Sequence, residues 1–286
     1  MQKVGVETSA RHRRRLPYVA MTIVGILIVL AAFAPLIAPH APNLQNLPDG
    51  LTPPVWAEGG SAEYLLGTDR LGRDILSRII FGVRIAFQVA LVTLLLGGGV
   101  GGILGLVAGY YGGKTDTIIM RVADGTLAFP IILLALLFVI TLGPGLFTVV
   151  LAISLVIWAQ FARLVRGETL SIRERDWVKA ARINGCTDIR IMAQHIAPHI
   201  FSSWLVMVTL QVGFVILIEA SLSFLGAGIP PPEPAWGQMV AEGRSLIGVA
   251  WWISIMPGLA IMLMVLSFNW LGDWLREVLD PKLRQV

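Results

Sequence analysis

Five stretches of this chain contain no Asp, Glu, Lys or Arg: residues 16–48, 85–113, 125–162, 191–218 and 245–272. Each exceeds the roughly 20 residues that a helix needs to cross the apolar core of a bilayer. The run at 125–162 is long enough for two crossings, and LGPG at 142–145 supplies a turn between them. Six membrane helices are therefore predicted, near 17–38, 85–109, 118–141, 146–165, 200–226 and 249–272, in one all-α integral membrane domain spanning 1–286. Composition agrees: 56% of the 286 residues are hydrophobic and 14% charged, against ordinary shares of about 45–50% and about 25%.

RHRRR at 11–15 precedes the first apolar run. That run is longer than the ~7–15 residues of a signal core, so it reads as the first anchor and not as a cleaved leader. With residues 1–16 inside the cell, seventeen Lys and Arg fall on cytoplasmic segments and five outside. The excess of basic residues places both termini in the cytoplasm. It also accounts for the net charge of +4 without nucleic acid. A single Cys186 excludes an internal disulfide framework, and four scattered His show no metal-ligand spacing.

Two connections are then extracytoplasmic, 41–84 and 227–248. The first ends in GTDRLGRDILSRIIFGVR, where Ile75, Ile79, Ile80 and Val83 fall at helical spacing and predict an amphipathic surface helix leading into the second span. The second contains IPPPEPAWG, stiffened by its prolines. Neither has room for a core of its own.

The longest cytoplasmic connection, 166–198, carries the charged island DWVKAARINGCTDIRIMAQHIAP at 176–198. Trp177, Ala180, Ala181 and Asn184 form one stripe of a short helix, and Arg175, Lys179 and Arg182 a basic stripe beside it. Gly185 can end that helix in the left-handed conformation. Ile189, Met192, Ala193 and Ile196 then form an apolar face suited to the membrane surface, and Pro198 fits the first turn of the next span. Small alanines that admit a partner's backbone, a large Trp and an orienting basic stripe make a docking element. A solvated loop with amphipathic helices fits the same periodicity.

Two motif matches fail on context. AGYYGGKT at 108–115 approximates a phosphate-binding loop, but the buried strand and α/β domain that such a loop needs are absent from the pattern. The island also resembles a helix-turn-helix, yet a segment tethered at both ends to a bilayer has no folded core on which to present a reading helix.

AARINGCTDIRIMAQHIAP resembles the "EAA" loop of ABC-importer permeases, with Ala180, Ala181, Gly185 and Pro198 at the family spacing and Lys179 where the family usually has Glu. The blocks LLGTDRLGRDILSRIIFGVRIAF, GYYGGKTDTIIMRVADGTLAFP, FARLVRGETLSIRERDWV, EASLSFLGAGIPPPEPAWG and FNWLGDWLREVLDPKL are similar to the C-type permease of dipeptide, oligopeptide and nickel importers. The resemblance implies a type I importer permease fold in a bacterial inner membrane. It implies as partners a second, homologous permease, two cytoplasmic ATPase subunits, an extracytoplasmic solute-binding protein and membrane lipid. ATP and Mg would sit on the ATPases and no cofactor on this chain. It further implies that Asp176, Trp177, Lys179, Ala180, Ala181, Arg182, Gly185, Asp188 and Arg190 couple to an ATPase. An ATP-independent channel is the alternative. An enzyme is disfavoured, because no nucleophile–base pair or metal cluster can be assembled.

Polar residues inside the spans are costly and point to function. Glu219 is a candidate for lining the path or bonding between helices, and so are Gln88, Gln160, Gln211 and Asn269. Arg121 and Asp124, at i and i+3, are expected to pair with each other. Gly97–Gly102 is expected to permit close helix packing.

Overall fold

The charge-free runs fold as helices whose lengths follow the apolar pattern. The computed structural model describes residues 17–279. The 1–16 tail, with Lys3, Arg11, Arg13, Arg14 and Arg15, and the basic residues Lys282 and Arg284 lie outside the described residues. Eleven helices are present among those described: α1 (Tyr18–Ile37), α2 (Ile75–Thr93), α3 (Gly99–Tyr111), α4 (Gly113–Leu127), α5 (Ile131–Leu142), α6 (Leu146–Ile172), α7 (Asp176–Ile183), α8 (Asp188–Arg190), α9 (Ala197–Phe224), α10 (Trp236–Arg244) and α11 (Trp252–Leu279). Five spans are long and apolar enough to cross a membrane, and a sixth forms if the bent pair α4–α5 is one crossing.

That pair corrects the continuous helix predicted at 118–141. The axes of α4 and α5 differ by 85°. Proline explains the break: Pro130 has no N–H to continue the ladder, its ring would clash one turn back, and it pushes Phe129 away from helical geometry. Pro130 itself has φ −59° and ψ 128°.

The second correction concerns 75–83. No separate surface helix lies there. Ile75 and Val83 are buried in the main core with Ile79 packed against it, Ile80 is also buried, and α2 runs through a π turn at Leu94–Gly98 into α3 as one 37-residue span. The amphipathic pattern is real, but its apolar face meets protein.

α3 packs along α6 on a glycine seam. Gly97, Gly101, Gly105 and Gly109 recur every four residues, one face of a helix. A Cβ at Gly101 would stand 2.2 Å from the Trp158 carbonyl oxygen, and one at Gly105 2.4 Å from that of Ala162. The close packing expected for 97–102 thus extends another two turns. Trp204 of α9 closes the end of the seam by donating from Nε1 to the Gly98 carbonyl at 3.0 Å, within the π turn.

The connection before α2 is held by buried charge in place of a core. Asp69, 3% exposed, accepts from Arg73 Nε at 2.5 Å and from the backbone N–H groups of Leu71 and Arg73 at 2.8 and 3.0 Å. Arg73 reaches on to Glu242 of α10 at 2.8 Å, joining the two loops on this face of the bundle. Arg78, 1% exposed, lies 4.0 Å from Asp69 and donates to the Pro42 carbonyl at 3.2 Å. Asp74 caps α2 by accepting from Ser77 N at 3.0 Å, the role that Asp favours at a helix start. Trp252 and Trp236 fasten the loop and α2 by donating to the carbonyls of Thr68 and Ile79, both at 3.0 Å.

Candidate functional site

On the opposite end of α6 from Leu146, the chain turns at Arg173–Arg175 into α7. Asp176 in its first turn and Arg182 in its last complement the helix dipole. Its end is a Schellman motif: Cys186 N donates to the Ala181 carbonyl and Gly185 N to that of Arg182, both at 3.1 Å, with Gly185 at φ +77°. This is the left-handed stop read from the sequence.

The expected stripe divides on folding. Val178 and Ala181 turn inward, into a cluster with Tyr110, Val165, Ile191, Ile196 and Ile200. Ala181 therefore faces its own chain, and it can act on a partner only by setting the seat of α7. Trp177, Lys179, Ala180, Arg182, Asn184, Gly185, Asp188 and Arg190 remain exposed, as does Asp176. Val178 dictates the split: it is the larger aliphatic group one position beyond Trp177, and it takes Ala181 with it at i+3.

The apolar face predicted for Ile189, Met192, Ala193 and Ile196 is also corrected. A π turn at Ile191–Ile196 adds a residue to the helical repeat. Ile191 and Ile196 are buried while Ile189 is 74% exposed. Ile183, 86% exposed, and Trp177, 45% exposed, are the other large apolar side chains that this connection leaves uncovered. The sequence reading puts Ile189 on the membrane-surface stripe because helical periodicity gives no notice of the π turn that follows it; Ile183 belongs to none of the stripes read from the sequence.

Lys179 meets Glu174 at 3.6 Å, an exposed ion pair that contributes little. Besides that apolar cluster, three polar or charged contacts among the described residues tie the element to the end of α3. Tyr110, at the end of α3, donates its hydroxyl to Asp188 Oδ1 at 2.6 Å. The Arg182 guanidinium lies 5.5 Å over the same ring, and the Tyr110 hydroxyl, more than any other neighbour, holds it above its ordinary pKa. Arg173 Nη1 donates to the Gly109 carbonyl at 2.7 Å. Nearby, Asp116 of α4 forms a two-pronged ion pair with Arg166 of α6, its second prong 2.6 Å long.

The polar residues within the spans do not converge. Glu219, 3% exposed, accepts from Ser223 Oγ at 2.6 Å, and Ser223 Oγ accepts from Ile229 N at 3.3 Å. It thus fastens the end of α9 to the turn that follows. Gln211 of α9 donates its side-chain amide to Gln160 of α6. Asn269 packs opposite Gly213, where a Cβ would stand 3.0 Å from its Oδ1. Gln88 is exposed on α2. Asp124 pairs with Arg163 of α6 at 2.6 Å, correcting the expected pair with Arg121. Arg before Asp is the weaker order along a helix, and α6 offers a guanidinium across the packing interface. Among the described residues no group of three or more His, Cys, Asp or Glu could hold a metal ion.

Residues 101–285 match the family of binding-protein-dependent transport system inner membrane components. Residues 12–54 match the N-terminal transmembrane domain of oligopeptide transport permease C. The chain belongs to the binding-protein-dependent inner-membrane component family. It is a membrane permease subunit of an ABC importer, a multi-pass inner-membrane protein with a transport role and not an enzyme. The permease is 43% identical over 261 residues to the di/tripeptide transport system permease protein DppC of Pseudomonas aeruginosa, covering 91% of this chain and 86% of that one. It is 43% identical to the glutathione transport system permease protein GsiD of Pectobacterium atrosepticum, with 95% and 89% covered. Its fold is shared with the MetNI methionine ABC transporter in an inward-facing conformation, with TM-score 0.54, 18% identity, and 70% and 96% covered. It is also shared with an amino acid ABC transporter crystallised with histidines, with TM-score 0.54, 17% identity, and 74% and 95% covered.

Proposed function

We propose that this permease forms half of a translocation path for short peptides or a similar small solute, beside a second, homologous permease, and that α7–α8 docks into a cytoplasmic ATPase subunit. Both termini and α7–α8 face the cytoplasm in this reading, and the loops before α2 and around α10 face the solute-binding protein. ATP and Mg belong to two ATPase subunits, and this chain binds no cofactor. Closure of the ATPases favours one packing of the two permeases over another, and the difference in contact energy sets the population shift that alternates access.

The observation that carries the docking role is the outer surface of α7–α8. Trp177, Ile183 and Ile189 stand exposed on the same connection as Lys179, Arg182 and Arg190. A buried aromatic with apolar neighbours and a basic rim is the usual anatomy of an interface centre. The relatives' names, di/tripeptide and glutathione permeases, support the solute class.

Two substitutions test the role, with the permease co-expressed with its second permease and ATPases. Trp177→Ala is expected to weaken ATPase association by about 2 kcal/mol, or roughly 30-fold. Gly185→Val meets no atom within 4 Å, so any effect comes from forcing a β-branched residue to φ +77°, which costs about 1–2 kcal/mol. Co-purification and solute-stimulated ATP turnover should both fall. Unchanged assembly and transport in the two variants would reject the docking role, and transport by the chain with no ATPase present would favour a channel. Identifying the ligand bound to the cognate binding protein checks the solute class.

A further inference from the structure

We infer that Tyr110 is a positioning residue, which fixes the angle of α7–α8 against the bundle so that displacement of the docking element is passed to α3. The inference rests on the docking role proposed above and goes beyond it by naming the joint. Tyr110 is the only described side chain seen to contact both sides of the Gly185 turn through polar or charged groups. Its ring lies under the Arg182 guanidinium, before the turn, and its hydroxyl donates to Asp188, after it. The ring itself is buried in the cluster with Val178, Ala181, Ile191 and Ile196. Arg173, at the approach to α7, holds the carbonyls of Gly109 and Tyr110 at 2.7 and 3.4 Å, so the end of α3 is gripped from both directions. Beyond it the glycine seam locks α3 to α6 along its length, and α6 leads directly into α7. The element and the α3–α6 pair therefore close a loop of contacts, with the Tyr110–Asp188 bond as its one short polar link across from α3 to α8.

The chemistry separates positioning from folding. Tyr110→Phe keeps the ring, its apolar contacts and its place under Arg182, and removes one hydroxyl. The freed Asp188 is exposed, so water can satisfy its carboxylate, and no buried acceptor is orphaned. What is lost is the angular constraint.

The test uses the complete transporter in nanodiscs with its binding protein, and it measures ATPase association, solute-independent ATP turnover and solute moved per ATP. Tyr110→Phe should retain association and basal turnover while solute per ATP falls about three- to tenfold, the range of one ordinary solvent-accessible hydrogen bond. Asp188→Ala should lower solute per ATP by a similar factor, and the double variant should be no worse than either single one. Wild-type coupling in Tyr110→Phe, or additive losses in the double variant, would overturn the inference. So would loss of the ATPase from Tyr110→Phe, which would make the contact one that merely keeps α7 folded. Failure of the docking role is read separately: Trp177→Ala would then leave association intact. If Trp177→Ala releases the ATPase while Tyr110→Phe transports normally, docking stands and the joint is refuted.

Discussion

Gly101→Val should abolish the folded permease. The added Cβ would lie 2.2 Å from the Trp158 carbonyl oxygen and 2.8 Å from the Phe161 Cβ, and the first of these is backbone that cannot rotate away. α3 would have to lift from α6, taking Gly105 and Gly109 out of contact and uncovering Phe161, which is fully buried. Overpacking a tight core costs about 1–3 kcal/mol where side chains can adjust. Here the whole seam must open, and without a hydrophobic driving force between helices in lipid, close packing is much of what joins them. The yield of monodisperse, protease-resistant protein in detergent should drop at least about tenfold, equivalent to about 1.4 kcal/mol or more. Gly99→Val is the matched control: its Cβ meets nothing within 4 Å, and it should purify nearly as the parent does.

Asp69→Ala is expected to be the most damaging change outside the spans. It removes the carboxylate that holds Arg73, leaves the N–H groups of Leu71 and Arg73 without their acceptor, and takes away the nearest anion of Arg78. Breaking a buried ion pair by deleting one partner costs about 3–5 kcal/mol, and the loss here falls toward the lower figure because Arg73 keeps Glu242 at 2.8 Å. Limited proteolysis should then cut within residues 41–72, and the thermal midpoint in nanodiscs should fall. Asp69→Asn keeps an oxygen for the backbone donors and should lose less. If Asp69→Ala melts with the parent, the buried charges do not hold this loop.

Much of the architecture could be read from charge. The spans at 17–38 and 146–165 lie within a few residues of α1 and the start of α6, because the absence of Asp, Glu, Lys and Arg tracks the apolar environment directly. The joint at Pro130 was visible as a residue type, but hydropathy alone treats Phe129-Pro130-Ile131 as uninterrupted. Residues 75–83 misled for a different reason: periodicity reports that one face is apolar, not whether it meets lipid or protein. At the candidate site, Gly185 was legible from local backbone chemistry. Which side of α7 faces outward was not, since Val178 competes with Trp177 for the interior and only packing decides. Tyr110 escaped notice because its partner is 78 positions away, and Asp124 was given the wrong partner because a cross-helix guanidinium outbid a neighbour on its own helix.

The right-angled joint between α4 and α5 has a mechanical meaning. Of their residues only Ala123 and Ala135 are buried within the chain, and no other crossing among the described residues bends by more than 40° between helices. Between the seam that joins α3 to α6 and the junction of α9, α10 and α11, the angled pair is the crossing that its own chain covers least, and so the one least braced by internal packing against a load.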